Sequence, residues 1–186
     1  MRLWLTLLVL AVLAGAAWWL RQHFNPEAQP QQQAVSHAPD YYFEGATITQ
    51  MNKSGQLQYK LLSSVVTHHP DDGSVDLTAP RLTWYGDAPG KAAPWHVTAK
   101  HGMIPAGADI VHLRGDVVVT HPTDTGETLK IFSPTLDLYT EKRIARTADP
   151  VKIVRGPSHV NAVGMVIQMD QNHMRLESTV RGTYVH

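Results

Sequence analysis

The sequence has no cysteine, and its charge favours neither sign, since 16 Lys and Arg residues balance 16 Asp and Glu residues. A fold without cysteine does not rely on disulfides, which suits an oxidising compartment, although cysteine-free chains are also common in the cytosol. A balanced charge creates no net field toward nucleic acids or acidic surfaces. We therefore expect no nucleic-acid partner.

Motifs for catalysis, metal binding and nucleotide binding are also lacking. The segment from Gly86 to Lys91 imitates a phosphate-binding loop, but it is one residue short and has no Ser or Thr after the lysine. The 11 histidines are dispersed, and His68 and His69 would point to opposite faces of a strand. No nucleophile elbow or pair of carboxylates stands out, although a triad assembled in space would leave no such signal. The sequence predicts no enzyme activity, no metal site and no cofactor.

The amino-terminal residues, in contrast, form a long hydrophobic run. It extends from Leu3 to Leu20 without a charge and is bracketed by Arg2 and Arg21. A helix of this length, at about 1.5 Å per residue, spans roughly the 30 Å hydrocarbon core of a bilayer. The tripeptide 14–16 would suit a cleavable signal peptide, but the run continues through two tryptophans, which are typical of a membrane interface. We predict an uncleaved transmembrane anchor over residues 1–21, with cleavage as the alternative.

A low-complexity segment follows the predicted anchor. Residues 22–39 are rich in Gln, Pro and Ala and have few apolar side chains to bury, and Pro26 and Pro30 disfavour a helix. We predict a flexible linker over 22–39. The remaining residues, 40–186, suffice for one domain with its own core.

The pattern of this domain has a period of two residues. Leu57, Tyr59 and Leu61 alternate with polar residues, and Gly, Pro, Asn and Asp interrupt such runs every 10–15 residues or so. Two segments, Leu113–Val117 and Leu176–Val180, also resemble each other, which suggests stacked hairpin units, with chance similarity as the alternative. The sequence predicts an all-β fold, a twisted antiparallel β-jellyroll or slab of stacked hairpins preceded by one transmembrane helix.

Several short segments, in this order and spacing, resemble the LptC family, the bitopic inner-membrane component of the lipopolysaccharide export machinery of Gram-negative bacteria. Each segment alone is weakly specific, and the similarity extends from the predicted anchor to nearly the last residue. The segments are Pro39–Phe43, Gly55–Leu61, His69–Leu82, Pro94–Ala99, Leu113–Val117 and Gly164–Gly182.

The resemblance implies a single-pass protein of the inner membrane whose carboxy-terminal domain is a periplasmic β-jellyroll. Such a domain accepts the acyl chains of lipopolysaccharide, receives the lipid from an ABC transporter of the LptBFG type, and passes it to a soluble bridge protein of the LptA type. The energy for this transfer comes from the ATPase of the transporter. The alternatives are a membrane-tethered structural adaptor with a closed core, and an anchored envelope enzyme.

Candidate lipid-binding residues come from two sources. Those implied by the resemblance are Ala46, Ile48, Leu77, Arg114, Met174 and Leu176. Those added from the alternation of apolar residues are Leu61, Val117, Val119, Ile131, Leu138, Ile153 and Met165. Ordinary core packing is the alternative for each aliphatic residue, and an error of one residue in register would reverse its facing.

Two further residues have predicted roles. Arg114 interrupts the apolar pattern and could pair with a lipid phosphate at the mouth of the groove, although a solvated surface arginine is the alternative. Gly156 falls approximately where the family has a glycine in its last third, and the resemblance implies that it contributes to binding of the bridge protein. A turn glycine before Pro157 is the simpler interpretation.

Overall fold

The computed structural model describes residues 12–20, 40–86, 93–107, 109–123 and 126–183. The chain divides into two compact units, Met1–Ser36 and His37–His186. In the first unit, residues 12–20 form a helix, whereas the other residues of the predicted anchor and the predicted linker 22–39 lie outside the described residues. Within the parts of the chain that the structure describes, no helix combines the length and apolar character needed to cross a membrane.

The second unit contains eleven strands among its described residues, all in antiparallel pairs. This confirms the predicted all-β antiparallel fold. The strands are β1 (Tyr41–Met51), β2 (Leu57–His68), β3 (Val75–Thr78), β4 (Arg81–Trp84), β5 (Trp95–Thr98), β6 (His101–Ile104), β7 (Ile110–Pro122), β8 (Thr128–Tyr139), β9 (Ile144–Arg155), β10 (Ser158–Gln168) and β11 (His173–Thr183).

Two long strands, β2 and β7, are joined by two pairs of short strands. One half of β2 pairs with β4 and the other half with β3, and β7 likewise pairs with β5 and β6. The corners between the short strands are hydrogen-bonded to each other, since Ala79 N donates to Lys100 O at 2.8 Å and Ala99 N donates to Pro80 O at 3.2 Å. From β7 the sheet continues strand by strand to β11.

The core lies on one face of this sheet. Alternate residues are buried within each regular run of β7 to β10, as expected when one face of a strand meets a core. The alternation shifts by one residue in β8, between Ser133 and Leu136, and in β10, between Gly164 and Met165.

The turn after β10 reaches back to β5, because the Trp95 indole Nε1 donates to Asn172 Oδ1 at 3.2 Å. Trp95 also stacks on His121, with the ring centroids 4.1 Å apart. The sheet therefore folds over its own inner face and encloses one hydrophobic core.

Candidate functional site

The inner face contains most of the residues predicted to line a lipid site. Eight of the predicted residues are buried in the core, and three are half-buried against it. The buried ones are Leu61, Leu77, Val117, Val119, Ile131, Leu138, Ile153 and Met165, and the half-buried ones are Ala46, Met174 and Leu176. The structure thus brings these side chains together on one apolar surface, which suits both core packing and lipid contact.

The interior holds a small apolar cavity of about 40 Å³. Its lining comes from β1, β2 and β4 to β8 and includes Ile48, Leu61 and Leu138. Ile48 is also 38% exposed, so the cavity reaches the surface at β1. The cavity is too small for an extended acyl chain, and lipid could enter the core only if strands moved apart.

A polar pocket of about 730 Å³ adjoins this cavity, because Tyr59 and Thr140 line both. Lys53 and Arg143 contribute positive charge to it, and Asp109 and Glu141 contribute negative charge. Burial raises the pKa of the Tyr59 hydroxyl, and the nearby Asp109 carboxylate raises this pKa further. The apolar cavity and the polar pocket therefore share a wall at Tyr59 and Thr140.

Both ends of the sheet are free edges as far as the structure describes the chain. There, β1 pairs only with β2, and β11 pairs only with β10. The first residues of β1 expose three aromatic side chains, Tyr41, Tyr42 and Phe43. Tyr41 stacks on His68, whose Nδ1 lies 2.7 Å from Asp40 Oδ1. Unpaired strand edges can accept a strand from another protein.

Gly156 lies in the turn between β9 and β10, at a φ of +53°, and not on the edge strand β11. Its nearest described neighbour is the carboxylate of Glu127, which a Cβ at this position would approach to 2.5 Å. The glycine is therefore needed locally for the turn. Its predicted contact with a bridge protein stays a prediction.

Arg114 is exposed and lies apart from the core, whereas its neighbour Leu113 is buried. It lines a groove of about 1100 Å³, here called the outer groove, on the face of β7 to β11 that points away from the core. The other outward-facing side chains that form the groove are Val118, Phe132, Pro134, Pro150, Lys152, Asn161, Val163, Thr179 and Arg181. This groove was not predicted from the sequence.

The outer groove follows a line of irregularities that crosses five strands. The register shifts between β7 and β8, β8 and β9, β9 and β10, and β10 and β11. Gly115, Asp116, Gly164 and Thr179 adopt positive φ angles along this line. Such β-bulges bend strands and interrupt regular pairing, which opens the groove. One local signal exists in the sequence, since Phe132 adds an apolar side chain at an outward position of an alternating strand.

Where β8 and β9 lose their regular pairing, polar side chains replace part of the backbone hydrogen bonding. Thr135 Oγ1 donates to Asp149 Oδ2 at 2.5 Å, and Asp149 N donates to Thr147 Oγ1 at 3.1 Å. No group of three or more histidines, aspartates or glutamates suited to a metal ion occurs among the residues that the structure describes.

Comparisons with known proteins agree with this architecture. The sequence model of the LptC family, described as lipopolysaccharide-assembly, LptC-related, matches residues 6–185. No curated protein matches the sequence. The fold is similar to that of LptH from Pseudomonas aeruginosa, the LptA-homologous periplasmic component of the lipopolysaccharide transport device, with a TM-score of 0.52 and 8% identity over 69% of this chain and 95% of that one.

At this low identity the structural similarity shows the fold alone, which is an LptA-like β-jellyroll. The family match covers nearly the whole sequence and agrees with the motifs from Pro39–Phe43 to Gly164–Gly182. Together the match and the motifs show that the chain belongs to the LptC family of lipopolysaccharide-assembly proteins.

Proposed function

We propose that this protein is a non-enzymatic carrier in lipopolysaccharide transport, anchored in the inner membrane with its β-jellyroll in the periplasm. It holds lipid by burying acyl chains against the inner face of the sheet and transfers the lipid to neighbouring proteins. The main support is the combination of a continuous apolar inner face, an entrance at Ile48 and two free strand edges. Membership of the LptC family supports lipopolysaccharide as the cargo and the cell envelope as the location.

Acyl burial provides enough free energy for this role. Each methylene removed from water contributes about 0.8 kcal/mol. The buried side chains of the inner face offer an apolar surface from β2 to β10. No bond is made or broken in this process, so neither a catalytic group nor a cofactor is needed, and the direction of transfer must come from an ATPase in the associated transporter.

The two edges suit transfer between proteins of similar fold. We propose that β1 pairs with a jellyroll of the transporter and that β11 pairs with a bridge protein of the LptA type. The exposed aromatic residues Tyr41 to Phe43 at the start of β1 add apolar contact area at that edge. Since the natural chain has no cysteine, a single cysteine at Val180 in β11 can be labelled with a maleimide that carries a photoreactive group, and irradiation should then cross-link this position to the bridge protein.

The predicted role of Gly156 needs a control for turn strain. We expect Gly156→Arg to reduce capture of the bridge protein in a pull-down. Gly73→Arg is the closer control, because Gly73 is also a turn glycine at positive φ whose added Cβ would meet a neighbour, at 2.9 Å from Ala106 Cβ, but it lies in the turn between β2 and β3. Equal capture by the Gly156→Arg variant and the natural protein would count against the assignment.

A structural adaptor is the second candidate function, and the small volume of the interior cavity, about 40 Å³, favours it. Photo-cross-linking separates the two. A photoreactive residue at Leu77 or Met174, on the inner side, should form an adduct with lipopolysaccharide, whereas one at Thr78 or Arg175, on exposed positions next to them, should not. An adaptor with a closed core would give no lipid adduct at any of the four positions.

A further inference from the structure

The outer groove has an apolar floor, although it lies on the solvent side of the sheet. Phe132 and Val163 remain 39% and 36% exposed within it. Val117, Val151 and Ala162 also border the groove, although their side chains are buried in the core. The outer face of an antiparallel sheet is usually polar, so an apolar groove of this volume indicates a binding surface.

Positive charge borders this apolar floor. Arg114, Lys152 and Arg181 are exposed, and none of them forms an ion pair with any part of the chain that the structure describes. Among the described residues that line the groove, Asp116 is the only acidic one, and its Oδ2 lies 2.6 Å from Lys100 Nζ. Within this part of the chain, the three cations therefore have no paired carboxylate, which favours an anionic occupant.

The three cations lie on different strands of the groove. They lie on β7, β9 and β11, that is, on every second strand. Lys152 and Arg181 share one row of the sheet, because Lys152 pairs with Asn161 and Asn161 pairs with Arg181. Since neighbouring strands are about 4.8 Å apart, Lys152 and Arg181 are separated by roughly 10 Å across the sheet. Arg114 pairs with Thr135, three residues along β8 from the Phe132 that pairs with Lys152, so Arg114 is also displaced by roughly 10 Å along the strands. This spacing provides for more than one anionic group above a single apolar floor.

The groove also reaches the free edge of the sheet. Thr179 and Arg181, at its far end, belong to β11, which has no second partner among the described residues. A ligand in the groove would thus lie beside the edge at which we propose that the bridge protein binds. A lipid cargo, rather than a resident structural lipid, is the occupant that this continuity favours.

We propose that the outer groove is a second lipopolysaccharide site, in which an acyl chain lies over Phe132 and Val163 while Arg114, Lys152 and Arg181 hold the phosphates of the lipid. This inference rests on the proposed carrier function but concerns the opposite face of the sheet from the interior site. The apolar floor accounts for the acyl chain, and the three cations account for the phosphates. The lipid would occupy this site next to β11 before or during transfer.

Photo-cross-linking of the full-length protein in detergent with purified lipopolysaccharide tests the proposal. One variant carries p-benzoylphenylalanine at Phe132, in the outer groove, and a second carries it at Leu77, in the interior. We expect lipid adducts in both. The double substitution Lys152→Glu and Arg181→Glu should lower the adduct at Phe132 by about tenfold, through loss of charge-assisted contacts, and leave the adduct at Leu77 unchanged.

Lys130→Glu is the matched control for the change in charge. Lys130 is exposed on β8, two residues from Phe132, and it does not line the groove, so this substitution should leave both adducts unchanged. An excess of phosphatidylglycerol tests the source of the lipid. Competition by phosphatidylglycerol that removes the Phe132 adduct would overturn the assignment to lipopolysaccharide.

The remaining outcomes separate this inference from the proposed function. An adduct at Leu77 without one at Phe132 would overturn the outer site and leave the carrier function supported. A Phe132 adduct with a protein instead of lipid would identify the groove as a protein-binding surface and also overturn the inference. If no lipid adduct formed at Phe132 or at Leu77 in the protein without the charge substitutions, this result would contradict both the outer site and the carrier function.

Discussion

Gly164 provides a direct test of how the bulges shape the sheet. It adopts a φ of +78° in β10, at the register shift between β9 and β10. A Cβ at this position would lie 2.6 Å from Glu177 Oε2 and 3.0 Å from Glu177 Cβ on the neighbouring strand. The substitution Gly164→Ala therefore combines an unfavourable backbone angle with steric overlap.

The expected loss of stability follows from three contributions. A positive φ costs an L-residue about 1–2 kcal/mol, and overpacking costs about 1–3 kcal/mol. Reduced entropy of the unfolded chain offsets about 0.4–1 kcal/mol of this. We expect Gly164→Ala to lower the free energy of unfolding by about 2–3 kcal/mol, measured by urea denaturation of the full-length protein in detergent with far-UV circular dichroism.

Gly45 is the matched control, because it has a φ of +62° but no atom lies within 4 Å of the position that an alanine methyl group would take there. Gly45→Ala should lower the free energy of unfolding by only about 0.5–1 kcal/mol, since the backbone contribution acts alone. Adding Glu177→Ala to Gly164→Ala should recover part of the difference, because it removes the carboxylate contact. Equal effects of the two glycine substitutions would refute the packing argument.

Three other predictions concern the closure of the fold, its first strand and its entrance. Asn172→Ala removes the hydrogen bond between the β10–β11 turn and β5 and should lower the free energy of unfolding by about 2 kcal/mol, measured by urea denaturation; a change below about 0.5 kcal/mol would contradict this. In the folded protein, the hydrogen bond from His68 lowers the pKa of the Asp40 carboxyl below its ordinary value of 3.8. The stabilisation of the fold by this pair is therefore present above the unfolded pKa and is lost as the pH falls through the lower, folded pKa. The titration of the Asp40 carboxyl should appear as a chemical-shift change in the NMR signals of the His68 ring. Asp40→Asn should abolish this change, and a change of the same size in the variant would show that the pair does not cause it. A disulfide between Thr47→Cys and Leu62→Cys, which are register partners on β1 and β2, should reduce the interior lipid adduct until a reductant is added, whereas equal adducts with and without reductant would argue against entry at β1.

The facing of the regular strands could be predicted from local sequence. Ile131 and Leu138, seven residues apart on β8, face the core together only because the alternation shifts by one residue between Ser133 and Leu136. Within each short run, alternation does place the apolar residues on one face, as for Val117 with Val119 and Leu136 with Leu138, which are all buried. This works because the direction of side chains in a strand repeats every two residues, whatever the strand pairs with. The all-β fold follows from the same periodicity together with the turn residues.

The bulges limit what alternation can predict. Gly115 and Asp116, both at positive φ, follow Arg114 directly, and the regular pairing of β7 with β8 breaks between Arg114 and Val117. The outer groove forms only where such irregularities align across five strands. Their alignment depends on the register of strand pairing from β7 to β11, and no local sequence pattern specifies that register. Of the two segments that resemble each other in sequence, Leu113–Val117 contains two residues at positive φ and Leu176–Val180 contains one, Thr179.

The corner at Ala79 and Pro80 was not predicted either. It splits the partner of β2 into two short strands, and its stability depends on hydrogen bonds to Pro80 and Lys100 that connect it with a second corner about twenty residues away. A proline such as Pro80 indicates that a strand is interrupted, but not that the chain resumes pairing beside the same partner. The placement of two short strands end to end along β2 therefore depends on both corners together, and not on the sequence around either one.

A closely packed interior is compatible with the proposed carrier function because β1 contributes little to the core. Among its residues only Ala46 packs there as a half-buried side chain, and Ile48 is exposed at the cavity entrance. Ten buried methylenes would contribute about 8 kcal/mol, which is comparable to the whole stability of an ordinary domain. Displacement of β1 would break its backbone pairing with β2 and expose the cavity lining that it covers. Lipid binding can open the roll at this edge only if acyl burial exceeds both costs, and this makes β1, which adds few buried side chains of its own, the strand whose displacement costs least side-chain burial.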